Sequence, residues 1–289
     1  MFNYKKEKMN KEIYEKVKKY QKLLSRDNLD KEFSIGDNEN SLYRIIVELI
    51  QKLNNSGRFN DVNNFFLDIN KYIPESNKKL KNILLNEYEI AQGVTRLKSF
   101  PRHIQIITTL QCNLNCIMCN EKHENVFISD KELDDLIEVM PYLQFLTLRG
   151  GEVFFDKRVG RILDEAYKND VRVSIVTNGL LLNNQIMKKI LRSVGGIVFS
   201  IDSPFKETYE SIRIGAKFND LINNLKKIKL LMSSEKNDVY LVLNMVVMRR
   251  NYNQIEDILY FANEYGFHSV TLSPIEGIIK FPEENFFEN

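Results

Sequence analysis

The chain has 289 residues, of which 43% are hydrophobic and 28% charged, and its formal net charge is +2. This composition is typical of a soluble globular protein with one or two domains. Its lysines are spread among acidic residues rather than gathered in one patch, so nucleic acid is not an expected partner. The longest apolar run, residues 239–248, is too short to span a bilayer, and the charged N-terminus lacks an apolar signal core. We therefore expect neither membrane association nor secretion.

Residues 1–96 are predicted to form an all-helical N-terminal region. Apolar residues recur there at intervals of three and four, which is the spacing of amphipathic helices. The four predicted helices cover residues 5–24, 41–53, 60–73 and 77–92. This region either caps one face of the domain that follows, residues 97–289, or forms a docking surface for a peptide or protein.

From residue 103 onward, apolar runs alternate with amphipathic segments. Because strands joined by helical crossovers pair in parallel, the pattern predicts an α/β fold, a partial (β/α)6 TIM-like barrel. In such barrels the chemistry lies at the carboxyl ends of the strands. A capping box, Ser129 with Glu132, precedes the first helix. The predicted strands are 104–109, 145–148, 171–177, 197–201, 239–247 and 269–272, and the predicted helices are 130–140, 157–168, 184–192, 219–233 and 254–265.

All three cysteines of the chain, Cys112, Cys116 and Cys119, lie in one CxxxCxxC segment after the first predicted strand. Three neighbouring thiolates can converge on one metal centre, and thiolates select iron-sulfur clusters, zinc or copper. One alternative is zinc held by these thiolates and His123. A 4Fe-4S cluster with three thiolates would instead leave one iron open to an external ligand. The odd number of cysteines argues against a disulfide, and we expect a reduced, cytoplasmic site.

This CxxxCxxC segment, placed after the first strand of an α/β pattern, resembles the signature of radical S-adenosylmethionine (SAM) enzymes. The resemblance implies that Cys112, Cys116 and Cys119 hold a 4Fe-4S cluster and that the open iron binds the amino and carboxylate groups of SAM. An electron from the cluster would then cleave SAM to a 5′-deoxyadenosyl radical, which abstracts hydrogen from a substrate. Such chemistry belongs to the cofactor, and the protein supplies binding and orientation.

Further motifs follow the predicted strands in the family's order. After the second strand, Gly150-Gly151-Glu152 differs from the family's GGEP motif only in Val153, which replaces proline. In the family this motif binds the SAM amino group, and paired glycines allow the backbone to approach a ligand closely. The resemblance therefore implies that Gly150, Gly151 and Glu152 contact SAM.

Polar residues also follow the third and fourth predicted strands. Thr177 and Asn178, then Ser200 and Asp202, are suited to the ribose hydroxyls and the methionine portion of SAM. Arg213 resembles an arginine that contacts SAM in the family, where its planar donors suit the carboxylate. The alternative for Arg213 is an ordinary surface arginine.

Two more residues are expected to contact the adenosine of SAM. Asn244 is polar inside an apolar strand, so it is either a satisfied core amide or an adenosine ligand. Met118 occupies the place where the family often has an aromatic residue against adenine, and a thioether can pack in the same way.

The resemblance also implies partners. We expect a low-potential electron donor of flavodoxin or ferredoxin type, and a peptide or protein as substrate before a small metabolite. The rival interpretation is a non-catalytic interaction protein whose α/β domain is held by zinc through the three cysteines and His123. No cysteine follows Cys119 and the chain ends soon after the sixth predicted strand, so we expect a truncated chain or a minimal family member.

Overall fold

The computed structural model describes residues 15–20, 39–71, 73, 75–119, 123–235, 239–275 and 282–285. The chain divides into two compact units, Met1–Arg102 with Pro141–Leu143, and His103–Met140 with Gln144–Asn289. The sequence places this boundary a few residues earlier, after residue 96. Among the described residues, no helix has both the length and the apolar character needed to cross a membrane.

The first unit is helical. Its helices are α1 (Glu39–Asn55), α2 (Phe59–Asn70) and α3 (Lys78–Ala91), and residues 15–20 are helical as well. Their apolar faces share one core that includes the fully buried Leu49 and Phe65. Three predicted helices are thus confirmed with small shifts at their ends, whereas the predicted helix 5–24 lies largely outside the described residues.

Two side chains of α3 hold the segment that leaves the first unit. The Asn82 amide accepts a hydrogen bond from the Phe100 backbone N–H (2.7 Å) and donates one to the Phe100 carbonyl (3.0 Å). The buried Glu89 carboxylate accepts from the backbone N–H groups of Lys98 (2.7 Å) and Ser99 (3.1 Å). These hydrogen bonds fix the position of residues 98–100, shortly before the first unit ends at Arg102.

The second unit contains one six-stranded parallel sheet whose strand order follows the sequence. This arrangement confirms the predicted α/β fold. The strands are β1 (His103–Ile107), β2 (Phe145–Arg149), β3 (Arg172–Thr177), β4 (Val194–Ser200), β5 (Tyr240–Val246) and β6 (Ser269–Ser273). Because all of them run in the same direction, their carboxyl ends meet at one edge of the sheet.

Within the described residues, six helices connect the strands: α4 (Asp130–Val139), α5 (Val159–Lys168), α6 (Asn184–Ser193), α7 (Lys206–Ile212), α8 (Phe218–Glu235) and α9 (Ile255–Tyr265). The capping box of α4 is confirmed, since the Ser129 side chain accepts from the Glu132 backbone and the Glu132 side chain accepts from the Ser129 backbone. The sequence did not predict α7, because seven residues are too few to show a helical period.

The two faces of the sheet differ in burial because successive strand side chains point to opposite sides. One face is mostly buried and apolar, as at Leu148, Ile175 and Phe199, although Leu272 of the edge strand β6 is 45% exposed. On the other, no side chain is fully buried. We call this second side the open face; it comprises positions 103, 105, 107, 145, 147, 149, 172, 174, 176, 196, 198, 200, 240, 242, 244, 246, 269, 271 and 273.

Candidate active site

The cysteine segment lies at the carboxyl edge of the sheet and is held there by backbone hydrogen bonds. On one side, Gly151 N–H donates to the Thr109 carbonyl (2.9 Å). Farther along, Asn115 and Ile117 donate to the carbonyls of Ile214 (2.9 Å) and Ile212 (3.0 Å). The segment is thus fixed between the turn after β2 and the end of α7.

Nitrogen atoms of Asn178 and Arg213 approach two of the three thiols. Asn178 Nδ2 lies 3.9 Å from Cys112 Sγ, and Arg213 Nη1 lies 3.9 Å from Cys116 Sγ. Cys116 is buried, whereas Cys112 and Cys119 are half-buried. N–H groups directed at sulfur stabilise the thiolate form, which is the form that binds metal.

Burial and mutual repulsion act together on the thiols. Burial raises the pKa of Cys116 to about 11, the Arg213 guanidinium opposes this shift, and the other two thiols add to it. Burial also raises the pKa of Cys112. The three thiols lie on one segment of eight residues, Cys112 to Cys119. A metal centre that takes them as thiolates must therefore displace their protons.

The site also contains His123, whose Nε2 lies 3.8 Å from Cys119 Sγ. Over the described ranges, however, no three His, Cys, Asp or Glu side chains are arranged to hold a metal ion. A single zinc ion needs its ligands around one point, whereas a 4Fe-4S cluster takes its thiolates at separate irons. The described side chains therefore do not already surround one point, as the ligands of a single zinc ion would.

The two glycines after β2 are needed for close contact with the cysteine segment. Gly150 has φ +145°, and a Cβ there would lie 2.3 Å from the Thr109 carbonyl oxygen. A Cβ on Gly151 would lie 2.2 Å from the Gln111 carbonyl oxygen. Both positions exclude a side chain, since real Cβ contacts are never so short. In the structure these glycines approach the residues that lead into the protein's own cysteine segment. A contact between Gly150 or Gly151 and SAM stays a prediction.

Glu152 is fully buried and its carboxylate joins the ends of β2 and β3. It accepts hydrogen bonds from Thr177 Oγ1 (2.7 Å), from the Asn178 backbone N–H (2.8 Å) and, more weakly, from the Phe154 backbone N–H (3.3 Å). Burial raises the pKa of Glu152, and these hydrogen bonds oppose the shift. Both oxygens are thus engaged within the protein. A direct contact between Glu152 and SAM stays a prediction.

Asp202 and Arg213 form a buried ion pair at the end of β4. Arg213 Nη2 lies 2.8 Å from Asp202 Oδ2, and Asp202 Oδ1 accepts from the Val246 backbone N–H (2.8 Å). The alternative of Arg213 as a surface residue is wrong, because only 6% of it is exposed. Contact of either side chain with SAM stays a prediction.

The remaining predicted residues lie near the same edge. Ser200 pairs in register with Asn244, and Asn244 Oδ1 accepts from Ser273 Oγ (2.8 Å). The Oδ1 of Asn244 is thus satisfied, whereas its Nδ2 has no hydrogen-bond partner among the described residues and is free to bind a ligand. Met118 packs with an apolar cluster that includes Met248. The structure thus brings all the predicted site residues to one region of the second unit.

Sequence reasoning missed Asn251, which is fully buried behind Asp202. Its Nδ2 donates to the backbone carbonyls of Asp202 (2.8 Å) and Val246 (2.9 Å), and its Oδ1 accepts from Met248 N–H (2.7 Å). No motif marks this residue. The only available signal was a polar residue directly after an apolar strand and two arginines.

Comparison with known proteins identifies the family. The model of the radical SAM superfamily matches residues 106–262, which is more than half of the chain. The chain belongs to the radical SAM superfamily. This superfamily consists of enzymes that use a 4Fe-4S cluster and SAM, so these are the expected cofactors of the site. Three thiols on one short segment and no fourth cysteine fit such a cluster.

Several curated radical SAM proteins are similar to the chain. The mycofactocin maturase MftC of Mycobacterium ulcerans is 23% identical over 55% of this chain and 43% of the relative. The "Probable GTP 3′,8-cyclase" of Methanocaldococcus jannaschii is 25% identical over 57% of this chain and 56% of the relative. The radical SAM cyclopropyl synthase TigE of Paramaledivibacter caminithermalis is 23% identical over 79% of this chain and 55% of the relative. The chain spans about half the length of the curated relatives it matches.

A solved structure shows the same fold. Streptococcus suis SuiB, bound to its precursor peptide SuiA, superposes with a TM-score of 0.54 at 18% identity, covering 71% of this chain and 46% of SuiB. The radical SAM proteins of this kind have a partial TIM-barrel fold, which agrees with the six-stranded parallel sheet observed here.

Proposed function

We propose that Cys112, Cys116 and Cys119 hold a 4Fe-4S cluster and that the chain uses SAM to start radical chemistry on a peptide or protein. The observation that carries this proposal is the placement of three thiols at the carboxyl edge of the sheet, between the Gly150-Gly151 turn and Arg213. When bound, a reduced 4Fe-4S cluster would supply the one electron that cleaves SAM into methionine and a 5′-deoxyadenosyl radical, and that radical would take a hydrogen atom from the substrate to become 5′-deoxyadenosine.

The chain's own residues would position these groups. Asn178 and Arg213 direct N–H groups toward two of the sulfurs, and such contacts tune the cluster. Gly150 and Gly151 allow the cysteine segment to lie against the sheet, and Glu152 fixes the turn that contains them. These contacts support a fixed backbone for the segment on which the cluster would be bound.

The remaining predicted residues would bind SAM from the strand ends. We assign Thr177 and Asp202 to the walls of the SAM site, where their partners Glu152 and Arg213 fix them. Ser200 and Asn244 lie on the open face and would supply polar contacts, while Met118 would pack against adenine.

The relatives support a peptide or protein substrate. They include a maturase and a cyclopropyl synthase, and SuiB was solved with its precursor peptide. Similarity to a GTP 3′,8-cyclase supports a small metabolite as the second candidate. A flavodoxin or ferredoxin in the cytoplasm would supply the electron. We assign the helical region, which lies outside the family match, the role of a cap or docking platform.

The test is production of 5′-deoxyadenosine. The chain would be reconstituted anaerobically with iron and sulfide, then given SAM and dithionite. We expect 5′-deoxyadenosine from the native chain and none from Cys116→Ala, because the cluster loses a ligand. His123→Ala is the matched control and should remain active. Equal product from Cys116→Ala, or preferential uptake of zinc that requires His123, would contradict the proposal.

A further inference from the structure

The open face has positive charge and no acidic residue. Its 19 positions include two arginines, Arg149 on β2 and Arg172 on β3, but no Asp or Glu. Both arginine side chains are exposed. Within the part of the chain that the structure describes, neither guanidinium makes a hydrogen bond, an ion pair or a ring contact. By contrast, Arg158, Arg213 and Arg250 of the same unit all have acidic partners.

One of these arginines lines a cavity. The cavity has a volume of about 510 Å³ and opens on the amino-terminal half of the open face. Arg172 shares it with the aromatic rings of Phe145 and Tyr240 and with the hydroxyl groups of Thr147 and Ser174. An unpaired guanidinium beside apolar walls and hydroxyl groups binds an anion more strongly than one in open solvent, because less water competes.

The spacing of the two arginines indicates what kind of anion fits. Leu148 of β2 pairs with Ile175 of β3, so Arg149 lies about four residues farther along the sheet than Arg172. At about 3.3 Å per residue their backbones are roughly 13 Å apart. Because strand side chains stand roughly perpendicular to the sheet, the two guanidiniums are separated by about the same distance, which one phosphate or carboxylate does not bridge. This distance matches two carboxylates four residues apart on an extended peptide.

We infer that the open face binds an acidic segment of the peptide substrate, with one carboxylate at Arg172 in the cavity and another at Arg149. Arg149 directly precedes Gly150, so a peptide held there lies beside the proposed SAM site. The inference rests on the proposed function, because it takes a peptide as the substrate. It adds a substrate class, namely peptides with separated acidic side chains.

The absence of tryptophan from the chain allows a direct binding test. The probe is the peptide acetyl-Glu-Gly-Trp-Gly-Glu-amide, compared with a twin in which both Glu are Gln. Fluorescence of its tryptophan reports binding to the full, reconstituted chain. We expect the acidic peptide to bind at least about tenfold more tightly at low salt, with a ratio that falls as salt is added. Substitution R149Q with R172Q should bring the ratio close to one.

Substitution R161Q with R192Q is the matched control. Arg161 on α5 and Arg192 on α6 are exposed and pair with Asp134 and Asp164, so this double variant also removes two charges but away from the open face, and it should leave the ratio unchanged. Equal binding of the two peptides, or an unchanged ratio in the variant R149Q with R172Q, would overturn the inference. Displacement of the acidic peptide by pyrophosphate, at a concentration below the peptide's own dissociation constant, would also overturn the inference.

The same preparations separate this inference from the proposed function. Arg149 and Arg172 have no assigned role in the cluster, so the double variant should still form 5′-deoxyadenosine without substrate. If the native chain forms 5′-deoxyadenosine but does not prefer the acidic peptide, only the inferred substrate class is rejected. Absence of 5′-deoxyadenosine from a native chain that binds the acidic peptide selectively rejects only the proposed function.

Discussion

Arg213 Nη2 lies 2.8 Å from Asp202 Oδ2, and both side chains are buried. Burial lowers the pKa of Arg213, but Asp202 and Cys116 outweigh it and the pKa is raised. Burial raises the pKa of Asp202, and Arg213 opposes that shift. The aspartate therefore keeps a charged guanidinium next to the most buried thiol of the site.

This pair predicts a large effect of removing one partner. Asp202→Ala should lower the free energy of unfolding by about 3–5 kcal/mol, because it leaves a buried charge without compensation. Urea unfolding monitored by circular dichroism measures the loss. The double substitution Asp202→Ala with Arg213→Met should cost less than Asp202→Ala alone. A single variant as stable as the native chain would show that the pair is not formed.

The turn after β2 predicts a steric effect on cluster assembly. Gly151→Ala places a Cβ against the Gln111 carbonyl, so the cysteine segment must move and iron uptake should fall severalfold. Iron and sulfide assays after reconstitution give the readout. Gly160→Ala on α5 is the control, because its Cβ meets only the end of the Lys189 side chain at 3.4 Å. Equal iron content in the two variants would contradict the expectation.

The hydroxyl of Thr177 is predicted to contribute to the free energy of unfolding. It donates to Glu152 and accepts from the Gly179 backbone N–H (3.0 Å) in a buried site. Thr177→Val removes it and leaves polar groups unsatisfied, at a cost of about 1–3 kcal/mol in the free energy of unfolding. Thr177→Ser retains the hydroxyl and should lose less. If the two variants unfold at the same urea concentration, the hydroxyl has no such role.

Asp164 predicts a dependence of stability on pH. The hydrogen bond from Lys189 lowers the pKa of Asp164, and Arg192, 2.6 Å away, adds to the shift. A carboxyl whose pKa is lower in the folded state stabilises above its unfolded pKa, and that contribution is lost as the pH falls through the folded pKa. Asp164 is about one third exposed, so the effect should stay below about 1 kcal/mol.

Asp164→Asn tests this expectation. The substitution should destabilise the chain at pH 7 and have less effect at a pH below the lowered folded pKa of Asp164, where the native chain lacks the charge as well. Urea unfolding at the two pH values measures the difference. A difference that grows toward low pH would contradict the sign of the shift.

Much of the fold can be predicted from local sequence signals, whereas the hydrogen-bond and ion-pair partners of the site residues cannot. The six strands were predicted because each is an apolar run of adequate length, and Ser129 with Glu132 marks a helix start by spacing alone. Glu152 and Thr177 were selected by motif. Their hydrogen bond depends on how two strand ends meet, which no spacing in the sequence encodes.

The same reason explains why the sequence left open whether Arg213 lies on the surface, whereas the structure buries it. A sequence motif can select the residue, but only the fold determines which charge lies beside it. Asp202 and Arg213 come from opposite ends of the segment that contains α7, and that helix is too short to be predicted. Asn251 was missed because its hydrogen bonds are to backbone groups, which leave no trace in side-chain patterns.

The central claim is that Cys112, Cys116 and Cys119 hold a 4Fe-4S cluster with one iron open to SAM. The most direct measurement is the electron paramagnetic resonance spectrum of the reconstituted, dithionite-reduced chain before and after SAM is added. We predict a 4Fe-4S signal that changes when SAM binds, because SAM becomes a ligand of the open iron. A signal that is the same with and without SAM, or a chain that takes up zinc and shows no cluster signal, would contradict the account.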